Sequence, residues 1–165
     1  MPTPPQAPDR GGWFTFREDW TLPVAPAVVL DRLVDLGAYP TWWRQVRSVE
    51  QLSPDRARVR ARSVLPVPLD LVLSREQQDR EDGRLRVGID GDLQGYVEVH
   101  VTPAAGGCRV VWEQRVLLAK PGLRHLAALP PARWVLRANH AAMMRSARTG
   151  LGRTEAPPAV RGNHA

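Results

Sequence analysis

Cysteine and long apolar runs are scarce in this chain, and each shortage excludes a class of protein. The one cysteine, Cys108, excludes an internal disulfide framework and a cysteine-based zinc cluster. No apolar run approaches the roughly 18 residues of a membrane-spanning helix. Residues 1–12 have neither the basic start nor the apolar stretch of a signal peptide. We therefore expect a cytoplasmic protein.

The motifs of common enzyme sites are missing as well. The chain has no nucleophilic triad, no glycine-rich phosphate loop and no dinucleotide fingerprint. It also has no cluster of histidine, cysteine and carboxylate residues at the spacing of metal ligands. The sequence therefore predicts neither a metal nor a cofactor.

Lysine is nearly absent, since 22 of the 23 basic residues are arginine, and the net charge is +6. A strongly basic chain suggests an anionic partner such as nucleic acid or a membrane surface. A composition rich in arginine, alanine, proline and glycine is also typical of a GC-rich genome. The position of the arginines has to decide between these interpretations.

The local patterns predict one domain between two irregular ends. Proline- and glycine-rich residues 1–12 predict a flexible leader, residues 13–151 a single domain, and residues 152–165 a flexible tail. At the start of the domain, the aromatic and threonine-rich stretch 13–22 predicts a strand. Apolar spacing after Pro26 predicts a short helix, and a second helical turn follows at Thr41 to Trp43.

The rest of the domain predicts a run of strands and one long helix. Alternating apolar residues joined by short turns predict an antiparallel meander, and the last stretch predicts an amphipathic helix. The predicted strands are 56–65, 68–74, 84–89, 96–101 and 108–119, and the predicted helix is 131–149. This order is that of an α+β helix-grip fold, in which a curved antiparallel sheet wraps around a long C-terminal helix, with two short helices after strand 1.

Strand alternation separates a basic face from an apolar face. Arg56, Arg58, Arg60 and Arg62 share the face that we expect outside, and Tyr96 is the one aromatic residue in the outer rows. A nucleic-acid surface would need aromatic stacking platforms between the arginines. We therefore expect a solvated face and no nucleic-acid partner, with a weak anionic partner as the alternative.

The inner face predicts a hollow between the sheet and the last helix. Small residues (Ala57, Ala61, Ser63 and Gly95) fall where one helix must fill a concave sheet, and close packing would demand larger side chains there. Unfilled volume is therefore expected on the inner side of the sheet.

Polar groups also fall on the inward stripe, namely Gln114, Asn139 and Ser146, with His140 at its edge. A few convergent polar groups in an apolar hollow are typical of a small-molecule site. The alternative is a filled core in which Asn139 and Gln114 bond each other or the backbone.

Three segments resemble a known family. The stretches "YPTWW" after the first helix, "GDLQG" at a strand turn and "RANHAAMMRSARTGL" in the last helix resemble bacterial, actinobacterial-type members of the SRPBCC superfamily. This is the START-like, helix-grip group that is often labelled polyketide cyclase/dehydrase, and the resemblance spans about residues 13–151. It implies that one of Trp42 and Trp43 anchors the second short helix while the other caps the cavity mouth.

The resemblance also implies that Asn139 and His140 face the ligand space. Together with the strand pattern it predicts a set of cavity residues. These are Trp42, Trp43, Ala61, Ser63, Leu71, Val87, Gly95, Val97, Trp112, Gln114, Leu136, Asn139, His140 and Met143.

Three functions fit these features. The aliphatic inner face favours a non-catalytic protein that binds an apolar or aromatic molecule of lipid, polyketide or isoprenoid type. We expect this protein to be a monomer or a homodimer. The second is a polyketide cyclase/aromatase with His140 as the acid/base, because cyclising a poly-β-ketone requires proton abstraction beside a carbonyl. The third is an interaction protein that uses the arginine-rich outer face.

Overall fold

The computed structural model describes residues 12–62, 67–126 and 129–154, and its centre is one curved antiparallel sheet. Seven strands lie in the order β1-β7-β6-β5-β4-β3-β2. Every neighbouring pair is antiparallel. The strands are β1 (Trp13–Leu22), β2 (Val46–Ser53), β3 (Arg56–Ala61), β4 (Leu69–Asp79), β5 (Arg84–Gly91), β6 (Leu93–Ala104) and β7 (Gly107–Leu118). This confirms the predicted α+β helix-grip architecture.

Two short helices connect β1 to β2. Helix α1 (Pro26–Val34) begins with a proline that fits its first turn, and it buries Val29, Leu30 and Leu33. A turn of 3₁₀ helix (Leu36–Ala38) follows, capped by the Asp35 carboxylate, which accepts from the Ala38 backbone N–H at 3.2 Å. Helix α2 (Tyr39–Trp42) completes the connection.

Two helices follow the last strand. They are α3 (Leu123–Leu126) and the long α4 (Pro130–Leu151). The Arg32 guanidinium of α1 donates to the carbonyl of Leu151 at 2.8 Å, which satisfies an acceptor at the α4 C-terminus. This bond fixes the end of α4 against α1.

The sequence missed β2 and misplaced several boundaries. Val46–Ser53 is an edge strand in which only Val46 is buried, so its side chains carry no alternating apolar pattern. β3 is Arg56–Ala61, and residues 63–65 of the predicted strand lie outside the described residues. β4 and β6 are longer than predicted, and α4 extends past both predicted ends to Pro130 and Leu151. The predicted leader and most of the predicted tail lie outside the described residues.

The predicted inward and outward faces of the sheet match the observed burial. Val59, Val99 and Val110 are buried, and the outward arginines are exposed or half-buried. Helical spacing in 131–149 also predicts Val135 on the buried side of the last helix, and this is wrong, because Val135 is 44% exposed. The buried side of α4 instead follows Asn139, Met144 and Ala147 to the fully buried Leu151.

Several of the outward arginines pair with carboxylates on neighbouring strands. Cross-strand ion pairs of this kind satisfy both charges, although exposed pairs add little stability. The pairs are Arg17–Glu113, Arg58–Glu50, Arg60–Asp70, Arg86–Glu98 and Arg109–Asp19. In the described part of the chain no helix has both the length and the apolar character needed to cross a membrane.

Candidate ligand cavity

A cavity of about 170 Å³ lies between the concave face of the sheet and α4. Its walls are apolar side chains of the strands and of α4, and none of the described lining residues is acidic or cationic at neutral pH. An apolar cavity of about 150 Å³ is large enough to hold a benzene ring. The space therefore suits one ring or a short alkyl chain before any side chain moves.

Most of the predicted cavity residues line this space. The structure brings together Trp43, Ala61, Leu71, Val87, Val97, Trp112, Gln114, Leu136, Asn139, His140 and Met143. Alternation on the strands and helical spacing on α4 select most of them, whereas Trp43 was implied by the family resemblance. Their contact with a ligand stays a prediction.

Two of the predicted residues that the structure describes do not join this group. Trp42 is buried, but its ring packs against Tyr39 and its backbone lies against Gly150 of α4. Gly95 lies at a close approach of backbones, where a Cβ would overlap the carbonyl oxygen of Arg115. Gly95 is therefore required by strand packing and does not widen the cavity. Ser63 lies outside the described residues.

Sequence reasoning missed part of the wall. Phe14 and Phe16 of β1 line the cavity, as do Leu33 of α1 and Tyr39 of α2. The two phenylalanines share one face of a strand that had been predicted, so their two-residue spacing was an available signal. Leu33 and Tyr39 depend on how the helices dock, which no local pattern shows.

An aromatic cluster joins α2 to the sheet and to α4. The Trp43 indole N–H donates to the carbonyl of Met143 at 3.2 Å, and its ring meets the Trp112 ring edge-on at 6.0 Å. The Trp42 and Trp43 rings stack at 5.6 Å. Neighbouring residues cannot both face the cavity, so Trp43 contributes to the wall while Trp42 anchors α2.

Tyr39 completes this cluster, and both its hydroxyl and its ring are held in place. Its hydroxyl donates to the carbonyl of Leu33 at 2.7 Å, and its ring meets the Trp42 ring edge-on. Burial, with a smaller contribution from Asp35, raises the pKa of Tyr39. The hydroxyl therefore stays neutral and serves as a structural donor.

His140 is the one ionisable imidazole in the described wall. Its ring stacks on Phe16, with 3.7 Å between ring centroids and 13° between planes. Burial lowers the pKa of His140 to about 4, so the ring is neutral at pH 7. Its Nε2 atom is buried and has no hydrogen-bond partner among the described residues. A buried polar atom without a partner is costly, so this nitrogen is a candidate contact for a ligand.

The other polar groups in the wall already have contacts. The Trp112 indole N–H donates to the amide oxygen of Gln114 at 3.4 Å. The Asn139 side-chain amide lies 4.0 Å from the Met143 sulfur, a weak acceptor. These contacts orient the two amides along the wall.

The wall can hold an apolar molecule, but it offers little for acid/base catalysis. No carboxylate lies in the described wall to orient the His140 imidazole or to raise its basicity. The described residues also contain no group of three or more histidines, cysteines or carboxylates that could hold a metal ion. Hydrogen bonding to one neutral imidazole is the main polar interaction available.

A curved antiparallel sheet that encloses an apolar cavity against one long helix defines a helix-grip protein. The chain belongs to the polyketide cyclase/dehydrase and lipid transport family, whose profile matches residues 14–152. The resemblance to the group labelled polyketide cyclase/dehydrase is thereby confirmed. Among proteins with curated functions, none matches the chain significantly.

Several solved structures share the fold. A protein from Thermus thermophilus is 20% identical, with a TM-score of 0.67 over 83% of this chain and 96% of its own. The Zhui aromatase/cyclase of Streptomyces sp. R1128 is 13% identical, with a TM-score of 0.70 over 84% of this chain and 91% of its own. A START superfamily protein from Mycobacterium smegmatis is 10% identical, with a TM-score of 0.58 over 79% and 98%. Identities this low show a common fold alone.

Proposed function

We propose that the protein binds an apolar small molecule of lipid, polyketide or isoprenoid type in the cavity between the sheet and α4. The observation that carries the proposal is the apolar wall of the cavity, in which Nε2 of His140 is the one buried side-chain polar atom without a partner among the described residues. Ligand sites of this type are mostly apolar, with a few polar groups that fix orientation. The family, which is described by both cyclase/dehydrase activity and lipid transport, is compatible with this proposal.

The size and chemistry of the cavity narrow the ligand class. A volume of about 170 Å³ is below the roughly 300–1,000 Å³ of typical drug-sized sites. A ligand longer than one ring therefore needs movement of the wall, and Met143 and Met144 are flexible enough to provide it. The neutral His140 ring pairs best with a ligand that carries a single hydroxyl or carbonyl group.

Native mass spectrometry of gently purified protein, followed by solvent extraction, tests the proposal. We expect a stoichiometric apolar adduct, and the extract identifies its class. A mass that equals the bare chain, both as purified and after incubation with fatty acids and polycyclic aromatics, would contradict binding. The same spectrum shows whether the protein is the expected monomer or homodimer. A cytoplasmic location stays part of the proposal.

A polyketide cyclase/aromatase is the second candidate. It is favoured by the fold shared with the Zhui aromatase/cyclase and by the position of His140 in the wall. The low pKa of His140 makes it a weak base at neutral pH, and this places catalysis second.

His140→Phe separates the two candidates, because phenylalanine keeps the stack on Phe16 and removes both ring nitrogens. A binding protein loses one hydrogen bond, which lowers affinity by at most about tenfold. A cyclase loses its acid/base and nearly all turnover of a poly-β-ketone thioester. Measuring both affinity and turnover for this variant decides between the candidates.

The third candidate, an interaction protein that uses the outer sheet face, has less support. Several of the outward arginines are neutralised by cross-strand carboxylates, as in the Arg58–Glu50 and Arg86–Glu98 pairs. A face of alternating charge attracts an anionic partner weakly.

A further inference from the structure

The start of α4 presents an apolar surface to solvent. Leu129, Trp134 and Val135, here called the α4 patch, are 53%, 72% and 44% exposed. Trp134 has the largest exposed fraction among the large apolar side chains of the described residues. Clustered exposed apolar side chains of this size mark interaction sites. The α4 patch therefore needs a partner.

The α4 patch is adjacent in sequence to residues that line the ligand cavity. Leu136, the residue after Val135, lines the cavity, and so does Leu123 of α3. The Lys120 ammonium fixes the chain before α3 to the sheet, because it donates to the carbonyl of Pro68 at 3.0 Å and to the Asp92 carboxylate at 3.1 Å. The same segment thus covers the cavity on one side and carries exposed apolar groups near it.

The stretch of sequence around the α4 patch carries charge of one sign. Residues 114–154 contain eight arginines and lysines and no Asp or Glu. Arg124, Arg133 and Arg137 form no ion pair with any described carboxylate. The guanidinium of Arg137 lies 5.9 Å from the centre of the Trp134 ring. This differs from the outer sheet face, where carboxylates neutralise many of the arginines.

We propose that the α4 patch and the arginines beside it dock the protein on an anionic lipid surface. Tryptophan is well suited to the headgroup region, because its ring is apolar and its N–H is polar. Basic residues near the surface are attracted to anionic headgroups, and protruding apolar side chains bury themselves below them. An acidic protein would need a pocket shaped to receive Trp134, whereas a lipid surface needs no matching shape. The docking does not depend on whether the cavity holds a ligand.

Flotation with lipid vesicles tests the proposal on the full chain. We expect the protein to float with phosphatidylcholine vesicles that contain phosphatidylglycerol, and to remain in the dense fractions with pure phosphatidylcholine. Added salt should release it, because the arginines act through screened charge. If the surface serves an acidic protein instead, no vesicle will carry the chain, and this result overturns the proposal.

Variants assign the docking to the α4 patch. Trp134→Ala removes the exposed ring, and we expect a bound fraction at least several-fold lower. Arg133→Gln with Arg137→Gln should lower vesicle partitioning by about fivefold for each charge removed. Trp134 and Arg133 take no part in the described cavity wall, so ligand binding in the cavity should persist in both variants.

Matched controls come from the sheet region rather than from α4. Leu52→Ala removes another exposed apolar side chain, on β2, and Arg56→Gln with Arg62→Gln removes two exposed charges from the sheet region. We expect these variants to float like the wild type. Docking through the α4 patch is overturned if Trp134→Ala floats as well as the wild type, or if the control charges matter equally. Thermal melting of each variant checks that the fold is intact.

Discussion

At the scale of single residues, His140 is the most informative side chain in the molecule. It combines a buried ring stacked on Phe16, a pKa of about 4 and an Nε2 atom without a described partner. Desolvation disfavours the charged ring, and no carboxylate in the described wall compensates for it. The same environment that weakens His140 as a base makes it a neutral hydrogen-bonding group.

The pKa of His140 leads to a prediction about stability and pH. The folded-state pKa of about 4 is below the ordinary 6.5, so the unfolded chain binds the proton first as the pH falls. The stabilisation is complete above pH 6.5 and is lost as the pH falls toward 4. It amounts to about 3 kcal/mol over this range.

His140→Phe isolates this contribution from the titration of the carboxylates. We expect the free energy of unfolding of the wild type to fall by about 3 kcal/mol more than that of the variant between pH 7 and pH 4. Urea denaturation at several pH values measures the difference. Parallel pH profiles for the two proteins would mean that His140 is already protonated or solvated in the fold.

At the scale of elements, the contact between α2 and the end of α4 sets the position of the aromatic cluster. Gly150 of α4 lies against the backbone of Trp42, and a Cβ there would overlap the Trp42 carbonyl oxygen. The helix thus approaches α2 more closely than any larger residue allows. This close contact holds Trp42 against α4, where it anchors α2, and Trp43 lies in the cavity wall.

Gly150→Ala tests this contact. Alanine gains about 1 kcal/mol of helix propensity, but the overlap is with backbone and no rotamer change relieves it. We expect the overlap to exceed the gain, with a net loss of about 2 kcal/mol in the free energy of unfolding. Gly37→Ala is the control, since its Cβ would lie 3.4 Å from the nearest atom. Urea denaturation compares the two, and equal stabilities would show that the helices are not held this closely.

The elements also show what the sequence could predict. Strong alternation in Arg56–Ala61 and Gly107–Leu118, and the helical spacing in Pro130–Leu151, predicted the correct element types. β2 was missed because an edge strand with one buried residue has no periodic signal. Of the cavity residues, those on strands and α4 follow from periodicity. Tyr39 and Leu33 do not, because they enter the wall through tertiary docking.

Gly95 and Trp42, which were among the predicted cavity residues, lie outside the cavity lining for a related reason. Gly95 was read as open space, whereas it marks a close contact between β6 and β7. Trp42 and Trp43 are neighbours of the same residue type, so the sequence does not show which of them faces the cavity. Only the packing of α4 decides which indole faces the cavity.

At the scale of the whole molecule, the curved sheet and α4 enclose the cavity while charge is distributed unevenly over the surface. Cross-strand pairs such as Arg17–Glu113 and Arg109–Asp19 neutralise part of the outer sheet face. The region around α3 and α4 keeps its positive charge, because residues 114–154 contain no acidic residue. The excess positive charge is therefore concentrated beside the cavity.

The central claim is that the cavity between the sheet and α4 binds an apolar molecule, and fluorescence titration with 1-N-phenylnaphthylamine tests it most directly. Val87→Phe fills the space from β5, and Val72→Phe makes the same change on β4, at a position outside the cavity lining. We expect saturable 1:1 binding by the wild type and by Val72→Phe, and at least a tenfold loss of affinity for Val87→Phe. Equal binding by all three folded proteins, or no saturable binding by the wild type, would contradict the account.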